Sequence, residues 1–159
     1  MIGLIALMAT VSRAGIKADP AFALARQLVG GSWSGKVGAM DVEFHFWLEH
    51  DGQLIRGHGT GRQGKKVVVT MESSYGWDAA AKQPYYLDQH NQDTVYFGHI
   101  HAEGQTVVTE FKGLATDGGV YLSKEHFDDP NTYTFQMWAR EGEKLTDIHV
   151  RASLHRKRT

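Results

Sequence analysis

From Trp33 onward the chain alternates short apolar and polar positions between tight-turn sequences, and no helical stretch is long enough for a parallel crossover. Val42, Phe44, Phe46 and Leu48 alternate with Glu43, His45 and Trp47, the pattern of a half-buried strand. Turn sequences follow at Asp51-Gly52, Gln63-Gly64, 78–84, Asn91-Gln92, Glu103-Gly104, Asp117-Gly118, 128–131 and Glu141-Gly142. They divide the chain into about nine or ten strands that follow one another as neighbours. Such a meander leaves two open edges unless it closes on itself. The pattern therefore predicts an all-β fold, a single antiparallel up-and-down β-barrel. Gly at 18 against Pro at 3 suits a chain that turns on glycines.

A length of 159 residues predicts one domain, and 42% apolar with 22% charged residues is ordinary globular usage. The net charge of −1 offers nothing to gather phosphates, which argues against a nucleic-acid partner. Zero cysteines exclude disulfides and thiolate metal sites. Residues 1–18 are set apart from the barrel domain 19–159. The apolar run Ile2–Val11 is far shorter than the roughly 20 residues of a membrane span. It reads as a lead helix on a cytoplasmic protein, or alternatively as the apolar part of an export signal. Arg13 and Lys17 follow the run instead of preceding it, contrary to the usual signal. A second helix is predicted over 20–29, with Asp19 as N-cap, Pro20 at the first helical position and Gly30-Gly31 as its stop.

Pairing the strands about their turns assigns the faces. Across Asp51-Gly52, Leu48 meets Ile55, Phe46 meets Gly57 and Phe44 meets Gly59. Across Glu103-Gly104, Ile100 meets Val107 and Tyr96 meets Phe111. Across Asp117-Gly118, Ala115 meets Val120 and Gly113 meets Leu122. Across Glu141-Gly142, Met137 meets Thr146 and Phe135 meets Ile148. The resulting inner face carries Ile100, Val107, Phe111, Val120, Leu122, Phe135, Met137, Ile148, Val150, Ala152 and Leu154. Val67, Val69 and Met71 resist their assigned register, which calls for a bulge or a longer turn.

Gly31-Ser32-Trp33 resembles the Gly-x-Trp signature of lipocalins and other calycin-type barrels. That resemblance implies a Trp closing the barrel floor beneath an arginine of the last strand, here Arg151, Arg156 or Arg158. Over about residues 27 to 158 the chain is similar to bacterial lipocalin-like domains of unknown function, family 1579. The matching features are Trp33-Ser-Gly35, Tyr75-Gly-Trp-Asp78, Tyr85-Tyr86, Phe97-Gly98, Glu103-Gly104 with Glu110, and Arg156-Lys-Arg158. This likeness implies the fold and no activity. The stretch His149-Val-Arg-Ala152-Ser-Leu154 more weakly resembles the last strand of nitrobindin-type barrels, which implies an axial haem histidine. Pairing Thr134 with His149 turns that histidine outward, against the role.

The same registers place Tyr96, Thr109, Lys124, His126 and Tyr133 among apolar inner positions, with Tyr85 as a further candidate. Thr109 falls opposite His126, near Tyr133, and inward Gly57 and Gly59 leave room for a cavity. The predicted partner is a small hydrophobic molecule, held by Trp33, Phe44, Phe46, Tyr96, Thr109, Phe111, Lys124, His126 and Tyr133. An alternative is an isomerase- or cyclase-type enzyme with His126 as acid–base and Tyr96 or Tyr133 polarising an oxygen. No cofactor is expected, since neither a phosphate loop nor a nicotinamide fingerprint is visible. His99 and His101 lie two apart on a strand with Glu110 diagonal to His99, a metal-ligand spacing, but the register puts all three on the outer face. His45 and His58 also meet outside, beside Trp47 and Arg56. With Trp138, these outer groups form the surface expected to meet a partner, such as a second copy of the chain.

Overall fold

In the computed structural model, which describes residues 16, 18–114 and 118–157, ten antiparallel strands close into one barrel. They are β1 (Ser32–Val37), β2 (Met40–Glu49), β3 (Leu54–Gln63), β4 (Lys66–Asp78), β5 (Gln83–His90), β6 (Thr94–Glu103), β7 (Thr106–Gly113), β8 (Val120–Asp129), β9 (Thr132–Glu141) and β10 (Lys144–Lys157). Each strand pairs with its neighbours in sequence, and β1 closes on β10 with Ser32 opposite Lys157 and Gly35 opposite Leu154. Closure satisfies the edge hydrogen bonds that an open meander would expose. Residues 1–15, Lys17 and residues 158–159 lie outside the described set, so the lead-segment expectation and Arg158 go with them. No helix among the described residues is long and apolar enough to cross a membrane.

The predicted helix begins where its signals place it. Asp19 Oδ1 accepts from the backbone N–H groups of Ala21 (2.9 Å) and Phe22 (3.1 Å), and Pro20 opens helix α1 (Pro20–Ala25). A single 3₁₀ turn, Arg26–Leu28, follows, and Val29 is already extended. Ala21, Phe22, Ala25 and Leu28 are buried with Trp33, Ile55, Ile100 and Val107, so α1 and its turn plug one end of the barrel. Trp33 is fully buried there. Its Nε1 donates to the Leu28 carbonyl (2.7 Å), and the Arg156 guanidinium lies 4.4 Å from the ring centroid. Arg156 also donates to the Gln27 carbonyl, which fastens the last strand to the plug. Of the three arginines proposed for this place, Arg156 occupies it.

The register of β2 with β3 is the predicted one, Phe46 opposite Gly57 and Phe44 opposite Gly59. The resistant strand is resolved by a bulge between Gly61 and Arg62, which lets Met71 and Val69 face inward and leaves Val67 exposed. At the β6–β7 hairpin the two-residue turn sits one residue later than predicted, at Gly104-Gln105, with Gly104 at φ 63 and Glu103 opposite Thr106. Ile100 therefore meets Thr109 and Tyr96 meets Gly113, a shift of two that preserves every face. The β9–β10 hairpin is also displaced, and two bulges follow it. Met137 meets Val150, Phe135 meets Ala152 and Thr134 meets Ser153, again with the inner set of β9 unchanged.

The β7–β8 connection overturns its prediction. Strand β7 ends at Gly113, whose N–H donates to the Gly119 carbonyl, while Leu114 N–H donates to the Val95 carbonyl. The strands therefore stop pairing at Lys112 and Val120, well short of a two-residue turn about Asp117-Gly118, and residues 115–117 lie outside the described set. Lys112 pairs with Val120 and Glu110 with Leu122, three residues from the predicted register. An odd shift exchanges the faces of a strand. Tyr121, Ser123, Glu125 and Phe127 consequently face inward, and Val120, Leu122, Lys124 and His126 do not.

Candidate functional site

Above the plugged floor the barrel holds a cavity of about 450 Å³. Its walls are the rings of Phe44, Phe46, Tyr86, Tyr96, Phe111 and Phe135, with Met40, Met71, Val69, Met137, Val150 and Ala152 between them. The inward glycines act differently from the predicted void. A Cβ on Gly57 would lie 2.5 Å from Phe46, and one on Gly59 2.4 Å from Phe44. The two rings, stacked with centroids 6.1 Å apart, lie flat against bare backbone, and this keeps them out of the lumen.

Two carboxyl groups and a histidine interrupt the apolar wall. Glu125 on β8 is 4% exposed; its Oε2 accepts from the Tyr133 hydroxyl (2.6 Å) and its Oε1 from the Ser123 hydroxyl (3.1 Å). Tyr75 on β4 reaches the same carboxyl. Burial pushes the Glu125 carboxyl above its ordinary value, and the hydrogen bonds from Tyr133, Ser123 and Tyr75 pull part of the way back. Asp88 on β5 is 8% exposed; its Oδ1 accepts from Ser73 (3.1 Å) and its Oδ2 lies 2.8 Å from His90 Nε2. Burial first, and then the nearest carboxylate (Glu125 for Tyr75 and Tyr133, Asp88 for Tyr86), raises these hydroxyls well above their usual range, so they stay protonated and serve as donors.

The polar groups are ranked by depth. Tyr75 and Tyr133 belong to the closed-end core, with the Tyr133 and Trp33 rings 6.0 Å apart. His90 is the last residue of β5, at the open end, its ring 5.3 Å from Tyr96. Among the described residues lining the cavity there is no Lys or Arg, and His90 is the one basic group.

Of the residues singled out from sequence, Phe44, Phe46, Tyr96, Phe111 and Tyr133 line this cavity. Trp33 lies beneath it in the floor, and fully buried Thr109 sits outside its lining, opposite Ser123. Lys124 and His126 are on the outer surface, for the reason of parity given above. Lys124 Nζ is 3.0 Å from Glu103, and His126 Nε2 is 3.1 Å from Asp128. His126 is thus not the cavity's acid–base group, and the Tyr96 and Tyr133 hydroxyls do not converge on it. Tyr85 is outside, its ring over Gly76 and 5.9 Å from Phe97, while its neighbour Tyr86 is inside.

The outer histidines have partners of their own. His99 Nε2 is 2.9 Å from Asp78, whose carboxyl is held below its usual range first by that contact. His101 Nε2 is 3.6 Å from Glu103, and Glu110, directly opposite His99, pairs with Arg140 at 3.2 Å. Among the described residues no group of three or more His, Asp or Glu is arranged to hold a metal ion. His45 stacks on Trp47 (5.9 Å), and His58 Nδ1 lies 2.6 Å from Glu72. His149 is exposed in the bulged part of β10, its ring 6.2 Å from that of Tyr121.

Sequence reasoning missed Ser73, Tyr75, Tyr86, Asp88, His90 and Glu125. For the first five a signal was present, because Ser73-x-Tyr75 and Tyr86-x-Asp88-x-His90 each run at the period of one strand face. Glu125 depended on the parity of β8.

No family model matches the chain, and no curated protein does. Among solved structures it is similar to the crystal structure of Rv2717c from M. tuberculosis, with a TM-score of 0.60 and 18% identity over 87% of this chain and 98% of that one. A structure of EF1p2_mFAP2b bound to DFHBI aligns with a TM-score of 0.41 and 11% identity over 84% and 97% of the two chains. The first likeness is one of fold, and the second is too low to carry an argument.

Proposed function

We propose that this barrel binds a small, largely apolar molecule in its lumen. One observation carries the reading: a cavity of about 450 Å³, walled by aromatic rings and methionines, persists above a packed floor instead of being filled. Interiors normally close to crystal-like density, and an apolar void forfeits the contacts its lining would otherwise make. A ligand restores them. The aromatic walls suit a flat or elongated body, and the tyrosine and carboxyl groups give it a polar end to orient.

Proton transfer on such a ligand is a second reading, favoured by the Asp88–His90 pair at the cavity wall. It replaces the role first assigned to His126.

Native mass spectrometry of freshly purified protein, joined to titration with a neutral apolar fluorophore, tests the proposal. The expected result is a co-purifying small molecule, or a fluorophore taken up by the wild type and lost on Ala152→Phe, which narrows the lumen. Equal uptake by both proteins, or none by either, overturns it. An iron-porphyrin mass increment lost in His149→Ala would favour haem instead.

A further inference from the structure

The cavity's electrostatics are one-sided. Glu125 and Asp88 are both more than nine-tenths buried, both contribute to the lining, and no Lys or Arg among the described residues joins them there. His90 at the mouth can balance Asp88, which it contacts at 2.8 Å. Among the described residues, Glu125 has no cationic neighbour in the groups that face it. Tyr133 from β9, Ser123 from its own strand, Tyr75 from β4 and, at longer range, Asp88 from β5 are all neutral donors or negative. Three hydroxyl donors aimed at one carboxyl stabilise the anion, while burial opposes it. A cation arriving from outside would relieve the conflict, and the ring faces of Tyr86, Phe111 and Phe135 would add cation–π attraction.

Resting on the ligand-binding reading above, we propose that the lumen selects a cationic amphiphile. An ammonium head lies at the deep Glu125–Tyr75–Tyr133 cluster, and its apolar body runs toward the mouth past Phe44, Phe46 and Met137. The depth order of the polar groups sets this direction. Glu125 is next to the closed-end core, and the lining toward the mouth includes Val37, Met40 and Val68 beside His90. An anionic head would meet the same carboxyls as repulsion, so chemical class is discriminated by charge and not by shape.

Three probes of equal length and different head charge test this: decylammonium, decanol and decanoate, each displacing the neutral fluorophore. Decylammonium is expected to bind at least about ten-fold more tightly than decanol, the worth of one charged hydrogen bond, with decanoate the weakest. In Glu125→Gln the ratio of decylammonium to decanol affinity should collapse toward one. Should that variant fail to fold, the ratio is followed against pH in His90→Gln, which removes the imidazole charge. It should fall about ten-fold as the pH is lowered and the Glu125 carboxyl, which burial makes hold its proton more tightly than an ordinary glutamate, takes that proton. Decanol displacement without an ammonium preference, or a preference that survives Glu125→Gln, overturns this inference alone. Failure of all three probes and of the fluorophore overturns the ligand-binding reading with it.

Discussion

Glu125 is an ionisable group held where water cannot solvate its charge, and its proton is correspondingly harder to remove than in the unfolded chain. An ordinary glutamate titrates near about 4.3. Since the folded state binds this proton more tightly, the contribution of Glu125 to stability is complete below that ordinary value and is lost as pH rises through the raised one. Urea unfolding followed from about pH 4 to pH 8 should show a fall in the wild type that Glu125→Gln lacks, with a difference in slope of up to about 1.4 kcal/mol per pH unit. Parallel pH profiles for the two proteins would place the burial penalty elsewhere. Arg156 is a residue of the opposite kind, a charge that spans the Trp33 ring and the Gln27 carbonyl at the floor. Arg156→Ala should cost about 2 kcal/mol in denaturant unfolding, and Arg156→Lys should recover only part, because an ammonium cannot stack its face on the indole while reaching the carbonyl. Full recovery by lysine would show that charge alone matters there. That an arginine near the end of the last strand would cover Trp33 was implied by the resemblance carried by Gly31-Ser32-Trp33, but the choice of Arg156 among Arg151, Arg156 and Arg158 was not. Glu125 was not legible, because a carboxylate in a strand reads as solvent-facing until its face is known.

At the level of strands, legibility followed the turns. Strands β2 and β3 were registered correctly because a tight turn with His50, Asp51 and Gly52 all at positive φ (50, 56 and 77) holds their ends in the predicted pairing. The two later hairpins slipped by even numbers, which shifts partners without exchanging faces. Only the β7–β8 loop slipped by an odd number. That one error moved Lys124 and His126 indoors on paper and put Glu125 outside. No local motif reports the length of such a loop, since Asp117-Gly118 looks like a tight turn whether or not the strands reach it. The β2–β3 pair also offers the cleanest test of how the lumen is kept open. Gly59→Val suits the strand backbone, yet its Cβ would lie 2.4 Å from Phe44 Cδ1. The ring must swing off the wall into the cavity. We expect a loss of about 1–3 kcal/mol in stability together with weakened uptake of the apolar fluorophore. Uptake at the wild-type level would show that the Phe44 ring does not border the bound molecule.

The whole molecule divides into a packed closed end and an open lumen, and these two parts were unequally visible in sequence. A count of nine or ten strands and their closure follow from turn spacing and from the exclusion of free edges. The helix plug follows from Asp19-Pro20 and a short apolar stripe. Whether a barrel of this size is filled or hollow depends instead on how rings lie on the wall, which alternation does not report. The division has a thermodynamic consequence. All ten strands share one hydrogen-bonded ring, so a molecule in the lumen touches β2, β4, β5, β8, β9 and β10 together and stabilises the barrel as a unit. At about 100 times its dissociation constant a ligand that binds only the folded state adds about 2.7 kcal/mol. In a domain of this size that corresponds to a rise in the unfolding midpoint of roughly 5–10 °C. Scanning calorimetry with decylammonium should show this rise and decanoate should show much less. In Ala152→Phe, where the added ring occupies the lumen, the rise should vanish even though the barrel remains closed. A rise that persists in Ala152→Phe would locate the amphiphile on the outer surface and separate its effect from the cavity.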